Sequence, residues 1–353
     1  MLGFVCDSLV ENPIPATMLR DFPGIGEPVV RWDAAHDPGP EEYPIPWIVL
    51  PESDLYDIAR WQIWAQGTAH PKHHWNYYSA FPMLAAQYWF DWFSLAIERD
   101  RVDRIITWGS AWLPTRAAIL AAHRQGVPVS CVEWGMFRPR ADFTCIVTPG
   151  AGYYQLGPEQ FTAWQSHETN EQALSDFCRQ WRAVMQTKLD MATVYTRIEN
   201  HFERVWFDQV RMDAAAFWGT EYAKSDHIAM VRAREALDAE VTARGGWRKA
   251  HPYDPTRTST VPPERNIEPS VSIHSVLPQC DSVAVLTSTV GLEAWLYDLP
   301  VFSWAKPWYA HEGMMGNSFS TARRYQFLDW LRGYLADVGD PSAMLARVKE
   351  PHI

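Results

Sequence analysis

Arg104-Ile105-Ile106-Thr107-Trp108-Gly109, the run Pro114 to Gln125, and Val127-Pro128-Val129-Ser130-Cys131-Val132 decide the fold class of this 353-residue chain. The first run is a short apolar strand. The second has Pro near its start and Gly126 as its C-terminal stop, the asymmetry of a helix. The third is another strand. Strand, helix and strand at this spacing form a βαβ unit, which implies a parallel sheet with right-handed crossovers. Glu133 then falls at the carboxyl end of the second strand, where open α/β sheets place their ligand crevices.

A second unit of the same kind follows at 283–298. Val283 to Leu286 reads as a buried strand, Thr287-Ser288-Thr289 as a hydroxyl-rich turn, and a helix starts near Val290. A helix from about His227 to Arg244, stopped by Gly245-Gly246, leads into a strand that ends at Lys249-Ala250-His251-Pro252. Val301–Trp304 is a further strand, and Ser318 to Leu335 a last long helix whose Phe327, Leu328, Leu331 and Leu335 share a face. This helix is a candidate to cross back to the first half. Eight prolines between Pro13 and Pro46 preclude long helices there. Short strands fit Gly3–Cys6 and Trp47–Leu50, residues 158–210 read as mainly helical, and 253–270 as a loop. Met83 to Glu98 reads as a helix apolar nearly all round, hence buried. The expected division is 1–200, one α/β domain, and 201–353, a second α/β domain, with the junction in the region 185–215.

Composition excludes several classes. The chain is 47% hydrophobic, as a globular protein is, and its net charge of −11 argues against a general nucleic-acid binder or electrostatic attachment to anionic lipid. Five scattered cysteines without C-x-x-C spacing read as free thiols in a reducing compartment. The start Met1-Leu2-Gly3-Phe4-Val5 has no basic region and meets Asp7 at once, unlike a signal peptide, and no apolar run reaches the length of a membrane span. A cytoplasmic location is expected, with at most peripheral contact with the inner membrane. The 19 tryptophans pack mainly in cores, with some left to line an acceptor groove. No Asp-x-Asp occurs, so no metal is expected; the run His70, Lys72, His73, His74 lacks a ligand pattern, and Phe22-Pro23-Gly24-Ile25-Gly26 lacks the Lys-Ser/Thr pair of a phosphate loop.

Three motifs in order carry a resemblance. Val132-Glu133-Trp134-Gly135-Met136-Phe137-Arg138-Pro139 runs on to Asp142-Phe143-Thr144; Lys249-Ala250-His251-Pro252 comes next; then Ser288-Thr289-Val290-Gly291-Leu292-Glu293-Ala294-Trp295-Leu296, with Leu299-Pro300-Val301 and Trp308-Tyr309-Ala310 behind it. Over roughly 100–150 and 215–315 the chain resembles the capsular polysaccharide biosynthesis family, which contains bacterial Kdo transferases using CMP-Kdo. More distantly it is similar to bacterial sialyltransferases. The resemblance implies a GT-B-like α/β fold, two Rossmann-like domains with parallel sheets facing a central cleft, 1–200 on the acceptor side and 201–353 binding the nucleotide sugar. It implies a CMP-sugar donor, a lipid or lipid-linked glycan acceptor, no cofactor, and retention at the anomeric carbon. Two departures stand out. Many members carry two acidic residues before the Gly where this chain has Glu133-Trp134, and His311-Glu312-Gly313 replaces the usual Gly-Leu-Thr.

The residues themselves read consistently with that. Ser288 and Thr289 open a helix, where backbone N–H groups favour an anion. Gly291 lets a ligand approach the first turn. Lys249 and His251, with Pro252 shaping the turn, add donors to a phosphate. Glu293, a carboxylate in an apolar helix, is assigned to the ribose. Glu133 is the candidate general base in an inverting reaction, or the nucleophile in a retaining one, a role that Asp142 fits as well. Arg138 suits the sugar's own carboxylate through its planar fork, ahead of Arg116 and Arg140. The bland alternatives are helix capping for Ser288 and Thr289, a simple turn for His251-Pro252, and an ion pair of Glu133 with Arg138 that only fixes the loop.

Overall fold

The structure, a computed structural model, describes residues 1–6, 18–33, 50–66, 82–135, 144–152, 155–187, 193–209, 227–253, 259–337 and 339–351. The strands are β1 (Leu2–Cys6), β2 (Val29–Asp33), β3 (Arg104–Trp108), β4 (Val129–Trp134), β5 (Thr144–Pro149), β6 (Val205–Phe207), β7 (Trp247–Lys249), β8 (Asn266–Ile267), β9 (Val283–Val285), β10 (Val301–Ser303) and β11 (Ala336–Asp337). The helices are α1 (Glu52–Gln66), α2 (Pro82–Asp100), α3 (Leu113–Arg124), α4 (Glu171–Thr187), α5 (His227–Ala243), α6 (Ile273–Val276), α7 (Val290–Trp295), α8 (Thr321–Tyr334) and α9 (Pro341–Lys349).

Two compact units result. The first takes the described residues of Met1–Gly135, Phe143–Tyr153 and Leu335–His352, the second those of Tyr154–Tyr334. The expected split at 200/201 thus falls inside the second unit. The long helix α8 stays in the second unit; it is the short segment after it, β11 and α9, that belongs to the first.

The first sheet has the order β2-β1-β3-β4-β5-β11. β2, β1, β3 and β4 are parallel, whereas β5 and β11 run antiparallel to their neighbours. Within this sheet the expectation of parallel strands is met in β2, β1, β3 and β4 and departs at β5 and β11. The reason is length. Nine residues separate β4 from β5, too few for a crossover helix and enough for an antiparallel return. Alternation along the strands covers both faces. Val5, Ile105, Val129 and Cys131 pack with Trp89, Phe93 and Ala118 of α2 and α3. Phe4, Ile106, Val132 and Val147 pack with Phe22 and with Met344 and Val348 of α9. The helix α2 is not buried all round. It buries Ala86, Trp89, Phe90, Phe93, Ala96 and Ile97, one helical stripe, and leaves Leu84 and Leu95 exposed.

The second sheet has the order β10-β9-β6-β7-β8, with every pair parallel. Read from β8, the sequence order is third, second, first, fourth, fifth, the Rossmann order, and it reverses between β6 and β9. Two of these strands were not legible. Val205-Trp206-Phe207 lies in the stretch read as helical, and Asn266-Ile267 in the stretch read as loop. Trp206 and Ala284 pack against Leu237 and Val241 of α5. Phe161, Trp164, Trp295, Trp308, Tyr309, His311 and Phe327 form an aromatic cluster in the same unit, with ring centroids 4.7–6.1 Å apart. Cys131, Cys145, Cys178 and Cys280 are free and buried, and no described helix is long and apolar enough to cross a membrane.

Candidate functional site

All five strands of the second sheet are parallel, so their carboxyl ends share one edge. That edge, at the point where strand order reverses, is where doubly wound sheets bind ligands. Here it carries Asp208-Gln209 after β6, Ala250-His251 after β7 and Leu286 to Thr289 after β9. The donor-side candidates from the sequence therefore come to one edge, and three pairs that sequence reasoning missed organise it.

The first pair spans the reversal itself. Gln209 Oε1 accepts from the Thr287 backbone N–H at 2.8 Å, and its side-chain amide reaches the Thr287 hydroxyl at 3.1 Å. Both residues are buried. This clamp fixes the turn from which Ser288 and Thr289 emerge half-buried. Next to it, Arg248 donates to Asp208 Oδ2 at 2.7 Å, with side-chain exposures of 6% and 1%. No spacing in the sequence links Asp208 to Arg248; only the adjacency of β6 and β7 does.

Each site candidate can now be located. The Ser288 hydroxyl accepts from the Val290 N–H at 3.3 Å, the local capping role, and keeps its own O–H to donate. Thr289 is helical in backbone and makes no side-chain cap. Gly291 does not leave room for a ligand. A Cβ there would overlap the Tyr309 hydroxyl, which donates to the Ser288 carbonyl. The glycine is there to admit Tyr309, a residue quoted in the motif without a role. Lys249 is 2% exposed, and its ammonium donates to the carbonyls of Ala250 at 3.0 Å and Pro269 at 2.9 Å. Burial, with Arg248 adjacent, pulls its pKa down to about 8. The side chain thus pins the end of β7 to the segment after β8, an internal task rather than an open phosphate contact. His251 is half-buried, and its Nδ1 accepts from the Tyr253 N–H at 3.2 Å. That places the ring proton on Nε2. Pro252 is half-buried in the same turn. Glu293 Oε2 lies 3.3 Å from His274 Nε2, the third pair missed by the sequence reading. A lone His in Ser272-Ile273-His274 gives no signal without the fold.

In the first unit, Glu133 is half-buried near the carboxyl end of β4, opposite Ile146 of β5 and on the strand face of Val129 and Cys131. Arg138, Arg140 and Asp142 lie outside the described residues, as does the His70–His74 run. Arg116 is committed elsewhere: its guanidinium donates to the Asp57 carbonyl at 2.9 Å and pairs with the Asp57 carboxylate. Among the described residues no group of three or more His, Cys, Asp or Glu is placed to hold a metal ion.

A five-stranded sheet in Rossmann order with a polar carboxyl edge is the arrangement in which doubly wound α/β folds place their ligand crevices. Residues 205–326 match the family described as capsule polysaccharide biosynthesis protein. The match covers about a third of the chain and contains every candidate from Lys249 to Glu293, while the motif at 132–144 lies outside it. No curated protein matches the chain. Among solved structures, Thermosulfurimonas dismutans KpsC, beta Kdo 2,7 transferase, aligns at TM-score 0.47 and 14% identity over 99% of this chain and 98% of that one. The beta Kdo 2,4 transferase of the same KpsC aligns at 0.49 and 16%, over 69% and 87%. Methanocaldococcus jannaschii UDP-GlcNAc 2-epimerase aligns at 0.39 and 10%, over 99% of each chain. At these scores the alignments say nothing of what this chain acts on.

Proposed function

We propose that the chain is a glycosyltransferase of bacterial surface polysaccharide synthesis that moves an acidic sugar, Kdo first among them, from its CMP-activated form to a lipid or lipid-linked glycan. The observation that carries this reading is the coincidence of the capsule biosynthesis match at 205–326 with the second sheet, whose carboxyl edge gathers the donor-side residues. The His251 Nε2–H and the Ser288 and Thr289 hydroxyls supply preorganised donors for a phosphate on which charge develops as the sugar leaves. Glu293 accepts from the ribose. Lys249 and Pro252 shape the turn that presents His251. Neither metal nor cofactor is invoked.

In the retaining scheme a carboxylate attacks the anomeric carbon as its bond to the phosphate oxygen breaks and CMP departs. An acceptor hydroxyl then displaces that carboxylate. Glu133 is our candidate for it, with Asp142 as the other. In the inverting scheme the same group takes the acceptor proton. Arg138 is proposed to pair with the carboxylate of the sugar.

A thermal-shift panel with CMP, UDP, GDP and their sugars tests the reading on wild type and His251→Ala. Saturation at about 100 times Kd adds roughly 2.7 kcal/mol. We expect stabilisation by CMP and its sugars, weakened in His251→Ala. Preference for CMP-sialic acid over CMP-Kdo would indicate a sialyltransferase-like activity. Preference for UDP would indicate an epimerase. CMP binding without any transfer would indicate an assembly protein.

A further inference from the structure

We infer that His274 is a positioning residue that fixes the Glu293 carboxylate so that it can accept from a ribose hydroxyl of the nucleotide. The inference rests on the donor-binding reading above and deepens it by naming what holds one of its contacts in place. Glu293 is the polar position of an apolar helix: Gly291, Leu292, Ala294 and Trp295 of α7 are buried around it. A Glu side chain there has three rotatable bonds, and left to itself would spread over several rotamers. His274 Nε2 lies 3.3 Å from Glu293 Oε2, and the two side chains keep only 8% and 14% of their exposure. A carboxylate only accepts, so the ring nitrogen facing it is a donor. The imidazole is itself held. Trp181 packs edge-on against it with centroids 5.0 Å apart, and the Ser272 hydroxyl accepts from the His274 N–H at 3.3 Å to cap α6. Glu293 keeps 14% of its side-chain exposure, and a carboxylate can accept several hydrogen bonds, the chemistry a ribose diol meets. A group held within a fraction of an ångström binds such a diol without the ordering cost.

Isothermal titration with CMP, 2′-deoxy-CMP and 3′-deoxy-CMP separates this from a packing role. Wild type is expected to favour CMP over at least one deoxy form by about tenfold. In His274→Ala the CMP affinity should fall by about that factor, while the deoxy form changes less than about twofold, so that the preference disappears. His274→Gln, which retains an N–H donor, should recover most of it. Should His274→Ala melt below the assay temperature, His274→Met, of similar volume and without a donor, carries the same comparison. Equal weakening of CMP and the deoxy forms, or a preference that survives in the variants without a donor, overturns the inference. Wild type that binds neither CMP nor a deoxy form overturns the donor reading and this inference with it.

Discussion

Single side chains in this protein often do something other than their sequence context implies. Lys249 in Lys-x-His-Pro looks like a phosphate ligand, yet its ammonium is spent on the Ala250 and Pro269 carbonyls. Lys249→Met would orphan a buried acceptor on Ala250 and a half-buried one on Pro269, at about 1–3 kcal/mol. Urea unfolding without ligand checks it; unchanged stability would return Lys249 to the phosphate. Gly291 was legible as special, but the reason was not, because the group that fills its space is Tyr309, 18 positions on. His311 stands where the family motif departs, and it lies 7% exposed among Trp164 and Phe327. Burial, helped by Arg323, pushes its pKa down from 6.5 to about 4. The unfolded chain takes up that proton below about 6.5 and the folded chain only near 4, so stability is full above 6.5 and falls as pH drops through this window. The difference is on the order of 3 kcal/mol. His311→Leu should flatten the dependence of Tm on pH between those values, and an unchanged slope would assign it to other groups.

Elements were legible where pattern and punctuation agreed. Helix α3 ends at Arg124 with Gly126 in the left-handed region, and β3, β4, β9 and β10 fall within two residues of the apolar runs that announced them. β6 and β8 were not legible because two or three residues carry no periodicity, and only pairing with β7 and β9 makes strands of them. Their fixing is therefore tertiary, and the buried Asp208–Arg248 pair supplies part of it at the ends of β6 and β7. Removing one partner leaves a buried charge. Asp208→Asn or Arg248→Met alone should cost about 3–5 kcal/mol, more than a matched apolar replacement of both. Denaturant unfolding of the two single variants and the double variant measures this, and additive losses would show that the pair is not coupled.

At the scale of the whole molecule, two α/β units with parallel-rich sheets were readable from two βα patterns alone. The chain path was less so, since β11 and α9 rejoin the first unit after α8 has stayed in the second. A short strand and a nine-residue helix after a long one give no local sign of which core they will cover. The candidate site was legible as a list of residues on βα turns, but not as the clamps, Gln209 on Thr287 and His274 on Glu293, that hold those turns. The carboxyl edge of the second sheet is proposed to hold the CMP moiety. Amide hydrogen exchange with and without saturating CMP tests it most directly. Protection confined to 249–253 and 286–293, and lost in His251→Ala, is the expected result. Protection elsewhere with those segments unchanged, or none at a CMP concentration that saturates the thermal shift, would contradict the claim.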